Sequence, residues 1–388
     1  MTKQQKDHIV LEQAPQLADH WRNQRWDSFT LVTPNWALQL PGAGYNGTSP
    51  AGYLLRNEMV AYLEDYAKQF KLPIQYKTKV TAVERNKEEQ FHIETGSEKF
   101  IAANVVVATG FFQQPKFPVS PATISHSIQQ MHSSQYKNPK SISPGAVLVV
   151  GSGQSGSQIA EELNAAGRKV FLSIGNAGRV PRRYRGKDII RWLFDAGFFN
   201  LTPEQLPPGM DKFGGIPHLS GTNGGHTMNL HQLAKDGVVL LGHVQSANGN
   251  IILLKPDMYE VLTKVDQFEK DVTGAIDQFI DMNSPTIPKE ELQQMNDGFQ
   301  QPVITQLDLE KENVNTIIWA TGYSFDYSLL KMPVLDKDGF PIQDAGVSQY
   351  EGLYFVGMPW MPSEKSGFLI GVGESARQIA AHISERTN

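Results

Sequence analysis

There is no cysteine among the 388 residues. That excludes disulfide bonds, thiolate metal sites and a redox-active thiol pair. No apolar run approaches the ~20 residues that span a bilayer, and the stretch from Met1 to His8 shows no apolar leader. A cytoplasmic protein with no membrane partner is expected. Charge of one sign is also scarce. The net charge is −5 and charged residues make up 19% of the chain, so no general attraction to nucleic acid follows. The local exception is basic: Arg179, Arg182, Arg183, Arg185 and Lys187. A length of 388 with 40% hydrophobic residues suits a globular chain of two ordinary domains.

What is present is a glycine loop in a specific context. The apolar run 147–150 leads directly into Gly151-Ser152-Gly153-Gln154-Ser155-Gly156, and residues 157–163 continue at helical spacing. Strand, G-x-G-x-x-G turn and helix together signal a dinucleotide site. Gly151 allows the tight turn, Gly153 the close approach of a pyrophosphate, and Gly156 close helix–strand packing. The free amides of the first helical turn, at Gln154 and Ser155, suit the phosphates. The next strand, 170–174, passes through Ser173, where an NAD site would carry an acid. None is there. Arg179, Arg182 and Arg183 follow, and guanidinium forks suit the 2′-phosphate of NADP. NADP(H) is therefore expected; the plain alternative is a solvated basic loop.

Elsewhere the spacing predicts a helix over 56–71, a hairpin of strands 79–85 and 91–95, and a buried strand over 104–108. Residues 115–144 read as a Pro- and Ser-rich linker. Strands are expected at 238–241, 251–254, 316–320 and 353–356, with helices over 259–282 and 373–386. The expected units are 1–144, 145–312 and 313–388. Two buried strands end in the same phrase, Ala108-Thr109-Gly110 and Ala320-Thr321-Gly322, a turn small enough to pass close to a bound dinucleotide. The strand 9–12 ends in Glu12, either a ribose ligand or a plain surface glutamate. Gly42 to Gly47 also satisfies G-x-G-x-x-G, but it precedes Thr48-Ser49-Pro50 and opens no helix, so it reads as a loop.

Together with Trp21-Arg22-x-x-Arg25-Trp26-Asp27-Ser28-Phe29, Thr33-Pro34-Asn35-Trp36 and Pro181-Arg182-Arg183-Tyr184-Arg185-Gly186, these motifs make nearly the whole chain resemble the class B flavin monooxygenases. The resemblance implies an α/β fold of two Rossmann-like dinucleotide-binding domains, an NADPH domain inserted into an FAD domain. It implies a reaction in which NADPH reduces FAD and a flavin C4a-(hydro)peroxide passes one oxygen atom from molecular oxygen to a small organic substrate. By position, Glu12 would hold the FAD ribose, Arg22, Trp26 and Asp27 would lie along the FAD, and Val80 would meet the adenine. Thr33 and Asn35 would stand near the reactive flavin carbon as the catalytic candidates. His132 either lines the nicotinamide cleft or is a linker histidine.

The family's first strand and glycine loop would lie about 20 residues before Glu12, ahead of Met1, so an N-terminally truncated first domain is expected. A second copy of the chain, a shifted strand or further residues would fill the slot between the neighbouring strands. Residues 186–235 are expected to line the substrate cavity. Two other functions stay open: a flavin-free NADPH-binding homologue, and a non-redox enzyme using an apolar pocket around 192–199.

Overall fold

Five parallel strands form the largest sheet of the computed structural model, which describes residues 6–206 and 217–386. Their order is Gln129–His132, Val314–Trp319, Ala146–Val150, Val170–Ser173 and Val239–Leu241. The central strand, Ala146–Val150, is buried along its whole length, as befits a parallel strand covered on both faces. Alternation divides it. Val147 and Val149 pack with Ile159, Leu163 and Val261 on the helical side. Leu148 and Val150 pack with Trp319, Ile252 and Leu307 on the other, under an antiparallel ribbon that includes Ile251–Leu254. Helix Gln154–Ala165 buries Ile159, Ala160 and Leu163, and helix Met258–Asn283 buries Met258, Val261, Leu262 and Val265. Both are single apolar stripes at helical spacing.

This sheet crosses both expected boundaries. Gln129–His132 lies inside the stretch read as a linker, and Val314–Trp319 lies beyond the expected limit at 312. Yet Val314–Trp319 pairs with Gln129–His132 on one side and with Ala146–Val150 on the other. The second lobe therefore takes strands from both flanks of the expected insertion. The two lobes are joined where the chain crosses twice side by side, as the antiparallel pair Gln114–Pro115 and Tyr323–Ser324.

In the first lobe, Val105–Val107 pairs in parallel with Leu353–Phe355, which continues into Val347–Ser348 and Gln343–Asp344. Val10–Leu11 pairs only with Ile74–Gln75. Among the described residues no strand joins these two sheets, so each keeps an open edge. Val10 is 42% exposed and Val106 is 40% exposed. The expected buried strand over 104–108 thus buries Val107 and leaves Val106 uncovered. The hairpin Val80–Arg85 and Phe91–Thr95 gains a third strand, Lys99–Ala102. Its Val83, Phe91 and Ile93 share a core with Val107, Leu353 and Phe355.

Candidate dinucleotide site

The three glycines of the 151–156 turn have different neighbours. Gly151 has φ +101°, and a Cβ there would lie 2.5 Å from the Ala320 carbonyl oxygen. A Cβ on Gly156 would lie 1.8 Å from the Gly151 carbonyl oxygen. Around Gly153 there is nothing within 4 Å. The fold itself demands the first and third glycines. The second faces open space at the N-terminus of helix Gln154–Ala165, where amides are free to meet an anion. The neighbouring strands brace the turn. Gly151 N–H donates to Ser173 O at 2.9 Å, and Ala320 N–H donates to Val150 O at 2.8 Å. The turn stands at the carboxyl ends of the strands, where the strand order reverses. These residues fit a pyrophosphate.

Side chains around the turn serve the scaffold. Ser152 Oγ accepts Gly175 N–H at 2.9 Å. The Gln154 carboxamide clamps a backbone segment over the helix start, accepting Leu219 N–H at 3.1 Å and donating to Leu219 O. Ser155 is half-buried in the same helical turn. Ala320, Thr321 and Gly322 belong to this lobe: Ala320 abuts Gly156, the Thr321 hydroxyl donates to Lys116 O, and Gly322 O accepts from Lys116 N–H at 3.0 Å. His132 Nε2–H donates to Gly322 O at 3.1 Å, and burial lowers the pKa of this histidine. It is a buried brace of the turn.

The arginine expectation is corrected. Arg179 donates through Nε and Nη2 to Glu269 at 2.9 and 2.7 Å, and its Nη1 lies 2.9 Å from Asp266. Arg182 donates to Asp188 at 3.0 and 2.5 Å and to Val32 O at 2.7 Å. Their side chains are 6% and 2% exposed. A guanidinium buried this deeply needs carboxylates, and these have them. Arg185 is held the same way by Asp277 at 2.8 Å. Arg183 and Lys187 are the exposed members of the group, on the hairpin Arg183–Tyr184 and Lys187–Asp188. Ser173 is buried and donates its hydroxyl to Gly242 O at 2.8 Å, so it does not face a ribose.

In the first lobe, Glu12 follows its strand and accepts Ala14 N–H at 2.8 Å through one carboxylate oxygen. Val80 opens the hairpin, half-buried. Ala108 and Thr109 are exposed, and Gly110, at φ +66°, has nothing within 4 Å of a would-be Cβ. Three of the residues expected along the FAD, and the catalytic candidate Asn35, make contacts within the protein. Arg22 pairs with Glu64. Trp26 is core, with Phe29 edge-on at 5.0 Å. Asp27 accepts from Asn138 Nδ2 at 2.6 Å and Arg56 Nη1 at 2.9 Å, which hold its carboxyl below the usual range. Asn35 is buried. It accepts Leu54 N–H at 2.8 Å and donates to Ser49 O at 2.9 Å, so both ends of its amide pin the 49–54 loop. Thr33 is half-buried just before it. Gly42 to Gly47 lies partly in the small hairpin Gln39–Leu40 and Ala43–Gly44.

The described residues of this lobe fit a second dinucleotide at the ribose acid and at the open Gly110 turn. They supply no strand that runs into a glycine turn and a helix for its pyrophosphate, because the turn at Gly371 before helix Val372–Arg386 follows the 3-10 segment Glu364–Gly367 and not a strand, and they do not fit FAD at that point. The expected substrate segment, 186–235, includes residues 207–216, which lie outside the described residues.

Sequence reasoning missed three groups. Arg25 places its guanidinium 5.2 to 5.7 Å from the rings of Trp21, Phe29 and Phe112, and no carboxylate pairs with it among the described residues. Burial pushes the Glu364 carboxyl up to about 7. His243 stands beside Gly175. Only His243 had a readable signal, its place just past the strand Val239–Leu241.

The family model described as pyridine nucleotide-disulphide oxidoreductase matches residues 2–192. With no cysteine, this chain lacks the thiol pair that such a description suggests. An uncharacterized CzcO-like oxidoreductase of Geobacillus kaustophilus is 33% identical over 369 residues, covering 95% of this chain and 88% of that protein. Flavin-containing monooxygenase 1 of Sus scrofa is 26% identical over 78% of this chain, which spans 52% of that protein. Among solved structures, a variant flavin monooxygenase from Stenotrophomonas maltophilia superposes with a TM-score of 0.65 at 16% identity, covering 98% of each chain. No helix among the described residues is long and apolar enough to cross a membrane.

Proposed function

The chain belongs to the class B flavin monooxygenase family of oxidoreductases, and from that premise we propose that it binds NADP(H) at the 151–156 turn and supports flavin-dependent transfer of one oxygen atom from molecular oxygen to a small organic molecule. The observation that carries the nucleotide half is Gly153. It is open where its two partner glycines are crowded, which suits a backbone approached by a phosphate and nothing else in this fold. The helix behind it supplies amides and a partial positive charge. The Ser152 contact to Gly175 sets the floor on which the ribose would rest. A flavin would supply the redox and oxygen chemistry, with Glu12 and the open Gly110 turn the residues present to meet it. The protein's part is to hold the nucleotide at the 151–156 turn, in the lobe that the paired crossing joins to the flavin side. Residues 1–144 and 313–388 would form the flavin side, with the strands noted above reassigned.

A second reading is a flavin-free NADP(H)-binding homologue. The split sheet of the first lobe favours it, because the described residues there lack a phosphate cradle. One experiment separates the two: NADPH consumption in air, with and without added FAD, together with the visible absorption of protein incubated with FAD and desalted. Retained flavin colour and FAD-dependent consumption, cut at least tenfold by Gly153→Ala, are expected. NADPH binding without either signal establishes the second reading. Absence of NADPH binding overturns both.

A further inference from the structure

In a parallel nucleotide-binding sheet, the adenosine ribose lies at the carboxyl end of the strand that follows the glycine turn. The group standing there chooses between a 2′-hydroxyl and a 2′-phosphate. Here that end is Ser173-Ile174-Gly175. Ser173 is turned toward Gly242 O, Ile174 is buried, and Gly175 has no side chain. A Cβ built on Gly175 would have one neighbour within 4 Å, His243 Nε2 at 3.9 Å. The space over Gly175 is therefore open and bounded by a single ring nitrogen.

That nitrogen is aimed. His243 follows Val239–Leu241, the sheet neighbour of Val170–Ser173. Its backbone N–H donates to Asp257 Oδ1 at 3.0 Å, and its Nδ1–H donates to Asp257 Oδ2 at 2.8 Å. The two bonds fix the ring and its tautomer, and Nε2 has no hydrogen-bond partner among the described residues. Gly242 permits the approach, since a Cβ there would lie 2.0 Å from Lys255 O and 2.5 Å from Asp257 Oδ1. Burial disfavours the Asp257 anion, but the contacts with His243 outweigh it and hold the carboxyl below its usual range. The Nδ1–H bond to this carboxylate leaves Nε2 as the ring atom that faces the open space. Arg179 and Arg182 are committed to Glu269, Asp266 and Asp188 and do not compete for the role, and the exposed Arg183 stands on the hairpin Arg183–Tyr184 and Lys187–Asp188.

We infer that His243, oriented by Asp257, is the specificity-determining residue of the site: it reads the ribose 2′ position and pairs with the 2′-phosphate of NADP(H). This rests on the dinucleotide reading of the 151–156 turn. The test measures dissociation constants for NADP+ and NAD+ by calorimetry on the full chain, for the natural protein, His243→Ala, His243→Arg and Gly153→Ala. Thermal unfolding confirms that each variant is folded. His243→Ala should weaken NADP+ at least tenfold and leave NAD+ within about twofold, while His243→Arg should keep or raise the preference for NADP+. Gly153→Ala should weaken both nucleotides together. If Gly153→Ala abolishes binding but His243→Ala leaves the NADP+/NAD+ ratio unchanged, the role of His243 is overturned and the nucleotide site stands. If the natural protein binds neither nucleotide, both are overturned.

Discussion

The two lobes carry similar pieces and differ in how their sheets close. In the second, the strand before the glycine turn has neighbours on both sides, and the turn leans on both: on Ser173 through a hydrogen bond and on Ala320 through contact. In the first, an acid-ending strand and a glycine exit are both present, at Glu12 and Gly110, yet each borders an open edge. The difference teaches that a pyrophosphate cradle belongs to three adjacent strands and not to a glycine motif alone. The deeply buried ion pairs lie in the second lobe, beside exposed ones, and the first lobe has exposed pairs. Arg179 and Glu269 are buried, whereas Arg22 and Arg56 meet Glu64 and Asp27, which are 53% and 52% exposed.

The largest expected effect tests that division. Arg179→Ala leaves Glu269 and Asp266 without their cation in a dry setting, which costs about 3–5 kcal/mol. Arg22→Ala removes an exposed pair and costs less than about 1 kcal/mol. Urea unfolding of both variants measures the contrast. An Arg179→Ala protein of natural stability that has lost NADP+ binding would return Arg179 to the phosphate role and erase the distinction between buried braces and ligands.

The lobes should also respond to pH with opposite sign. His218, in the second lobe, donates Nε2–H to Ala177 O at 2.5 Å, and burial drives its pKa down to about 4. Above the unfolded value near 6.5 this has no effect on stability. Between about 6.5 and 4 the unfolded chain takes up a proton that the folded one refuses, and up to about 3 kcal/mol is lost. Glu364, in the first lobe, titrates near 7 when folded against 4.5 unfolded. Its contribution is complete below about 4.5 and is lost as pH rises to 7. Melting temperatures of the natural protein, His218→Gln and Glu364→Gln from pH 4.5 to 7.5 resolve the two. The deficit of the natural protein relative to Glu364→Gln should grow with pH, and its deficit relative to His218→Gln should grow as pH falls.

What could be read from the chain was what is local. The 147–163 stretch announces strand, turn and helix within 17 residues, and every one of its glycines has the neighbours that the motif requires. The helix Met258–Asn283 was legible from its stripe. Partnership was not legible. A cluster of arginines looks the same whether it meets a phosphate or acids, and here the acids are Glu269 and Asp266, far along the chain. Gln129–His132 has no apolar run to mark it as a strand, and its sheet partner lies at Val314–Trp319. Val314–Trp319 itself reads as a strand, but nothing in it says which sheet it joins. Asn35 and Asp27 have the chemistry of ligands, and only the loop and linker folded over them show that their hydrogen bonds are already made.

The smallest effect on stability gives the finest discrimination within the second lobe. Gly156→Ala forces a Cβ to 1.8 Å from the Gly151 carbonyl, which is backbone and cannot swing aside. Helix and strand must separate, at a cost of about 1–3 kcal/mol. Gly153→Ala meets nothing within 4 Å and sits at a φ of −68°, so the methyl points into open space and the folded protein should barely notice it. If the space is a phosphate site, that methyl occupies the position from which backbone amides reach the pyrophosphate, and NADP+ affinity falls at least tenfold with an unchanged melting temperature. The two glycines thereby separate what the turn does for the sheet from what it does for a ligand. A Gly153→Ala protein that binds NADP+ normally would make the second lobe's turn a structural corner only, and the two lobes would then differ in closure but not in function.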